Sequence, residues 1–570
     1  MATASTKSRN RKKERRTEAA TKVTPQTAAA LPESRDLSNR AWLVSSLVIM
    51  GVATVLRVYD LALVPFHHDE GVNGNFLVRL VREGYYHYDP ANYHGPTLYY
   101  FSAVIPWILR FLSGTSAQNA YGLNTVTVRL VPVVFGLATI WLVLLLRRRI
   151  GTVGTLCAAT LLAISPGAVY LSRYYIHETL FVFFTLGIVV AGLKYYDSGK
   201  SLYLLLASIS AALLFATKET AVISVAVLAI AWITKSFYLW MLNGFRRKNY
   251  KGSKQRKAER RTKQNETTNV WERLGGIRRV ALLSTIAMVV FVAVNVLFYS
   301  SFFTNYPRGV YDAVKTFEFW TKTGKEAHVH PFTTYFWWLL RQETPLIVLG
   351  IIGAALVVLK PHNHFALFSA LWAFGLLAAY SLIRYKTPWL VLNFVVPLAL
   401  ISGYAMQVVY DWALGEIRLV IGVMLLAAAV SGYKTIDLNF FNYDNDAQSY
   451  VYVYAHTRRE MLAMVQEIER VAELTNRGYK LGVTIVSPDY WPLPWYLRDY
   501  TGVGYHGRMT SSNEPVIIAS ESQGAEIETN FGDRYQQVPS GFNSANSYPL
   551  RPGVNLLLYV RRDMAGPTRQ

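Results

Sequence analysis

The amino-acid sequence predicts a polytopic α-helical membrane protein, with about eleven transmembrane helices and a soluble α/β domain at the C-terminal end. Three observations lead there. Long apolar blocks nearly free of charge recur up to residue 430, the basic residues gather in two polar segments beside those blocks, and from Gly432 the pattern changes to that of a soluble module. The hydrophobic share of the 570 residues is 52%, and it is concentrated in those blocks rather than spread evenly.

The blocks are 41–56, 125–146, 152–171, 179–193, 202–216, 221–233, 280–298, 345–359, 365–382, 389–409 and 419–430. A helix needs about 20 residues to cross the hydrocarbon, so the shorter blocks must recruit flanking residues. Residues 1–40 read as a disordered basic arm, 41–431 as the transmembrane domain and 432–570 as an extracytoplasmic α/β domain. Within the last, 458–474 has helical period, with Met461, Met464, Val465, Ile468 and Val471 on one face. Residues 481–486, 515–519 and 554–560 are β-rich runs bounded by Pro, Gly, Asn and Asp.

A formal charge of +22 would suggest nucleic acid in a soluble protein. Here the charge lies in the arm (Lys7 to Arg16) and in the loop 241–279, both beside spans, where the positive-inside rule places them in the cytoplasm of an inner-membrane protein. The partner is therefore the lipid bilayer, not nucleic acid. From that start every loop alternates. The first outer loop is 61–124 and a second is 299–344, while Arg147 to Arg149 and Lys194 to Lys200 fall inside. The apolar piece 96–112 breaks the alternation if it spans, so it is expected to lie at the interface. The single cysteine, Cys157, excludes an intramolecular disulfide. A first apolar block behind a forty-residue polar arm reads as a signal anchor.

Ionisable residues at span ends are costly and point to function. Four groups share the outer face: His67-His68-Asp69-Glu70, Ser172-Arg173-Tyr174-Tyr175-Ile176-His177-Glu178, Thr217-Lys218-Glu219-Thr220 and Arg384-Tyr385-Lys386-Thr387-Pro388. Together they suit transfer of a group from a lipid phosphate, where a carboxylate takes the proton of an attacking hydroxyl and cations stabilise the leaving phosphate. Asp69 is the natural base. Plainer readings exist for each. Asp69 and Glu70 are placed to cap a helix beginning near Gly71. Arg173 suits snorkelling, Glu178 suits an ion pair with Arg173 or another cation, and Lys218 suits a local pair with Glu219. Arg384 and Lys386 sit where the positive-inside rule disfavours them, which argues for an anionic partner. His67 and His68 could bind a divalent metal ion with Asp69, although adjacent histidines rarely both reach one ion, and His328 and His330 lack a nearby third ligand in sequence.

The order and spacing of these motifs resemble the GT-C membrane glycosyltransferases, in particular those similar to protein O-mannosyltransferases and the lipid A aminoarabinose transferases. His68-Asp69-Glu70-Gly71 looks like the acidic motif of their first outer loop, and Ser172-Arg173 with Glu178 looks like the second acidic position. Thr217-Lys218 and Lys386 match the later cations. The resemblance covers about the first 410 residues. It implies an inverting glycosyltransferase that moves a sugar from a polyprenyl-phosphate donor to a lipid, glycan or protein acceptor on the outer face. Asp69, Glu70 and Glu178 would be catalytic, Arg173, Lys218 and Lys386 would bind the phosphate, and His68, His94, His177 and Arg384 would lie nearby. Where the aminoarabinose transferases carry Glu-Lys-Pro, this chain reads Tyr93-His94-Gly95-Pro96, so one cation of that subgroup is missing. The C-terminal module, with Trp491-Pro492-Leu493-Pro494-Trp495, looks more like a prokaryotic branch named for association with lipid-linked sugar flipping. A transporter or flippase component for lipid-linked sugars is the competing class, and it would favour internal repeats that the sequence lacks.

Overall fold

The computed structural model describes residues 37–91, 94–113, 122–249, 274–322 and 329–564. The basic arm up to residue 36, most of the basic loop and His328 lie outside them.

Among the described residues eight helices are long and apolar enough to cross a membrane, and the number is ten when each of two bent pairs counts as one span. They are α1 (Asn39–Val58), α4 (Thr125–Leu144), the bent pair α5 (Thr152–Ala163) and α6 (Pro166–Ser172), α7 (Glu178–Ser198), α9 (Ala221–Asn249), α10 (Gly276–Tyr299), the bent pair α12 (Thr334–Gln342) and α13 (Thr344–Leu359), α14 (His364–Leu382), α15 (Leu392–Trp412) and α16 (Ile417–Ile436). Helix α8 (Ser201–Phe215) is apolar but shorter, and it accounts for the eleventh block. α15 lies at the centre, with its window 94% buried, whereas α10 packs one side on α8, where Phe215 meets Phe291, and its window holds no fully buried residue. The last helix continues to Ile436, past the boundary expected at Gly432.

Side-chain contacts gather polar segments at two ends of the helices. At one end Arg147 donates to Asn39 at 3.1 Å, Arg149 pairs with Asp197 at 2.5 Å, and Asn363 donates to the Arg149 carbonyl. At the other lie all four groups singled out from the sequence. The breaks in the two bent pairs occur at that second end and are stitched by buried polar side chains, because freed backbone groups at membrane depth need partners. Arg57 donates to the carbonyls of Leu162 and Ala163 at 3.2 and 3.0 Å. Glu343 accepts from Ser165 Oγ at 2.9 Å and the Gly167 amide at 2.8 Å.

The segment 96–112 forms α3 (Thr97–Ser113), which runs along α2 (His68–Glu83). Tyr99 donates to Asn73 near their starts, and Arg110 donates to the Val81 carbonyl near their ends. Its first half is buried. Helix α11 (Arg308–Lys322) lies in the later loop.

Beyond α16 the chain forms a mixed sheet in the order β2-β1-β3-β6-β4, with β5 on β6. The strands are β1 (Gly482–Ile485), β2 (Gly502–Tyr505), β3 (Val516–Ser520), β4 (Tyr535–Gln537), β5 (Tyr548–Arg551) and β6 (Val554–Arg561). β1 pairs in parallel with β2 and β3, while β6 runs antiparallel to its partners. Alternation sorts the residues between two faces. Val516, Ile518, Leu556 and Leu558 pack on α17 (Glu460–Leu474) through Met461, Met464 and Ile468, and Ile517, Ala519 and Leu557 pack on α18 (Gly524–Phe531). The three β-rich runs of the sequence became β1, β3 and β6. The short strands β2, β4 and β5 carried too little pattern to be read.

Candidate functional site

The helix expected near Gly71 begins three residues earlier, at His68, with His67 as its cap. The His67 ring accepts from the Asp69 amide at 3.1 Å, and Glu70 accepts from the His67 amide at 3.0 Å. This is a reciprocal capping box in which histidine takes the place of serine. Because Nδ1 accepts, Nε2 carries the proton, and it donates to the Tyr454 carbonyl at 3.0 Å.

Glu70, one of the three carboxylates expected to be catalytic, sits in the protein interior. It is fully buried, and its carboxylate accepts from Arg129 Nε at 2.8 Å, Arg129 Nη2 at 2.7 Å and the Tyr175 amide at 2.7 Å, besides the His67 amide. Arg129 spends further donors on the carbonyls of Leu61 and Val64. A carboxylate so engaged has no lone pair left for a substrate proton. Its neighbour differs. The Asp69 side chain is 42% exposed, and the His67 ring lies 4.0 Å from it. Around it stand Trp389, 6.4 Å from the His67 ring, and Tyr454, 6.1 Å from Trp389.

A second cluster forms where residues 94–97 cross the turn between α8 and α9. The Gly95 amide donates to the Thr217 carbonyl at 3.0 Å, and a Cβ at Gly95 would stand 2.0 Å from the Ala216 carbonyl oxygen, so only glycine permits the approach. The crossing brings four candidates together. Lys218 pairs with Glu178 at 2.6 Å, both side chains 6% exposed, so the partner of Lys218 is Glu178 rather than the adjacent Glu219. Glu219 faces His94 at 3.4 Å, and the rings of His94 and His177 lie 5.0 Å apart. His177 donates from Nε2 to the Gly95 carbonyl at 3.0 Å, and its buried Nδ1 has no partner among the described residues. Asn73 joins the two clusters. It donates to the Tyr175 carbonyl and accepts from Tyr99, whose ring lies 5.5 Å from His177.

Arg173, expected to bind the donor phosphate, turns toward the end of α1. Its guanidinium donates to the carbonyls of Leu56, Arg57, Tyr59 and Asp60 at 2.6 to 3.3 Å and rests on the Phe440 ring, which closes the C-terminal end of α1. Lys386 is buried at 1% exposure, donates to the carbonyls of Ile383 and His330, and has no carboxylate partner among the described residues. Arg384 is exposed, and its carbonyl accepts from the His330 amide. Among the described residues, no three His, Cys, Asp or Glu side chains are placed to share a metal ion.

Sequence reasoning missed Arg57, Arg129 and Glu343. Arg57 and Arg129 are cations beside or inside apolar blocks, and that position was the available signal.

The C-terminal domain completes the surroundings of Asp69. Trp495 stacks on Phe66 at 4.5 Å, Arg82 pairs with Asp499 at 2.7 Å, and Arg551, held by Asp489, reaches His68 Nδ1 at 3.5 Å. Burial pushes the His68 imidazolium down from its usual range, against the pull of Asp69, which leaves a neutral ring beside that carboxylate. The approach depends on Gly71 and Gly74, where an added Cβ would stand 2.7 Å from Pro492 and 2.6 Å from Trp495. Gly71→Ala is therefore expected to loosen the docking by about 1–3 kcal/mol, the usual cost of overpacking. Faster limited proteolysis between residues 442 and 458 would show it, and an unchanged pattern would mean that the contact is dispensable.

Residues 101–244 match the family model of dolichyl-phosphate-mannose-protein mannosyltransferases. No curated protein matches the chain in sequence. In structure the chain is similar to ArnT from Cupriavidus metallidurans bound to undecaprenyl phosphate, with a TM-score of 0.57 and 11% identity over 93% of this chain and 99% of that one. The apo state of the same protein gives a TM-score of 0.56, with 11% identity over 93% of this chain and 98% of that one. The apo oligosaccharyltransferase of Archaeoglobus fulgidus gives 0.50, with 14% identity over 85% of this chain and 70% of that one. The multi-pass helical fold with its small C-terminal sheet domain is thus the GT-C fold, and the resemblance drawn from the motifs holds at that level.

Proposed function

We propose that the chain is an inverting glycosyltransferase that takes a sugar from a polyprenyl-phosphate donor. The observation that carries this reading is the contrast among its carboxylates. Glu70 and Glu178 are locked in buried ion pairs, while Asp69, next to Glu70 on the same helical turn, is held open between two domains. The ligand named for the ArnT structure, undecaprenyl phosphate, supports the donor class. In the proposed step an acceptor hydroxyl attacks the anomeric carbon from the face opposite the phosphate. Its proton passes to the Asp69 carboxylate as the new glycosidic bond forms. The old carbon–oxygen bond breaks with its electron pair on the phosphate, and a single displacement inverts the centre.

The leaving phosphate needs cations rather than an acid. Lys386 and Lys218 are the candidates. An ammonium has three donors, of which Lys386 spends two on carbonyls and Lys218 one on Glu178. Lys386→Met is expected to weaken binding of a labelled donor by at least about tenfold at unchanged abundance, because a charge-assisted bond to phosphate is lost in a desolvated site. Undiminished donor affinity would move the phosphate elsewhere. Lys218→Met is the less clean test, since it also strands Glu178.

The positive-inside pattern supports an outward-facing site in the cytoplasmic membrane. A reporter fused after Arg562 should then read as extracytoplasmic and one at Gln255 as cytoplasmic; reporters on the same side would overturn that orientation. The function itself is tested by offering purified protein a panel of labelled polyprenyl-phosphate sugars together with an envelope extract. Transfer of label supports the reading, and its absence across the panel favours a transporter.

A further inference from the structure

Parallel β1 and β2 end at Ile485 and Tyr505, and the carboxyl edge of such strands is where open α/β sheets place ligands. Here that edge faces the start of α2. The loop after β1 carries Asp489, Tyr490 and Trp491, and rings follow one another away from Asp69. His68 and Trp491 are 6.1 Å apart, Trp491 and Tyr490 5.7 Å, and Tyr490 and Tyr505 5.3 Å. None of the four is buried, and Tyr505 is 37% exposed. Beside the row the Asp489 side chain is 48% exposed and Arg551 16%. Arg551 also donates to the Trp491 carbonyl at 3.4 Å, which fixes the inner ring against the catalytic helix.

From this row we infer that the C-terminal domain holds the acceptor, and that the acceptor is a saccharide chain. The inference rests on the transferase reading of Asp69 and adds the substrate class. The rings, 5.3 to 6.1 Å apart and tilted by 31° to 50° from one to the next, form a partly exposed strip that suits the C–H faces of sugars, and the Asp489 carboxylate, 48% exposed beside them, suits hydroxyl groups. A peptide would call for backbone partners or a pocket, and a membrane surface would not place an exposed carboxylate among the rings. The row begins at His68, next to the proposed base, so a chain lying on it presents its terminal hydroxyl to Asp69.

The test uses the full-length protein in nanodiscs and a ladder of fluorescently labelled linear oligosaccharides of one to five hexose units, with a labelled peptide library as the comparison. Binding is read at equilibrium in wild type, Asp69→Asn, Tyr490→Ala and Tyr505→Ala. The two tyrosines lie toward the outer end of the row, and Trp491, which packs on Gly71, is left intact. Wild type and Asp69→Asn should bind the longer oligosaccharides equally. Each tyrosine variant should bind them about tenfold more weakly, the loss expected for one stacking contact, with little change for the single hexose. No binding of any oligosaccharide, equal binding by the tyrosine variants, or binding of peptides instead would overturn the inference. Saccharide binding by Asp69→Asn needs no chemistry. Length-dependent binding without transfer by wild type would thus sink the transferase reading alone, and transfer that ignores the tyrosines would sink this inference alone.

Discussion

Asp69→Asn is expected to leave donor binding intact and to slow sugar transfer at least about a hundredfold, the usual scale of a general base. Asn keeps the size and most hydrogen-bonding capacity of the carboxylate, but it has no oxygen that takes up a proton near neutral pH. The structure sharpens the test by separating the cap from the proposed base. His67 and Glu70 carry out the reciprocal capping, and the Asp69 side chain is left half-exposed. Helix stability should hardly change, because the Asp69 amide, which Asn retains, is the group that His67 holds. Equal transfer by wild type and Asp69→Asn would remove Asp69 from the mechanism.

Arg129→Met is expected to cost about 3–5 kcal/mol of stability, because it leaves the Glu70 carboxylate buried with its cationic partner gone. The loss should appear as a fall in thermal midpoint and in membrane abundance. Arg129→Met combined with Glu70→Gln should recover part of it, since the stranded charge is then absent and the amide oxygen can still accept from the Tyr175 amide. A double variant no more stable than Arg129→Met would mean that packing, rather than the pair, holds this corner. Transfer activity in the double variant, normalised to folded protein, also separates a structural Glu70 from a catalytic one. Activity within severalfold of wild type would agree with the structural role, and a loss as deep as that of Asp69→Asn would contradict it.

The sequence by itself determined the membrane class, the blocks that became spans and the four polar groups that the fold gathers at one end. Those follow from local composition: an apolar run of sufficient length has few alternatives in lipid, and flanking charge orients it. It also brought out Asp69, Lys218 and Lys386 as residue types out of place at a span end. Tertiary structure alone decided which charges remain available. Glu70 and Asp69 are adjacent, yet a helical turn aims one at Arg129, distant in sequence, and the other between the two domains. Arg173 and Lys386 are both cations at span ends, yet the first is engaged by four carbonyls at and just beyond the end of α1. The docking of Trp491 and Trp495 on two glycines of α2 was equally invisible, since it joins segments more than four hundred residues apart. The physical reason is common to all three. Whether a buried charge acts or supports depends on whether its hydrogen-bonding capacity is already filled, and the groups that fill it come from other parts of the chain.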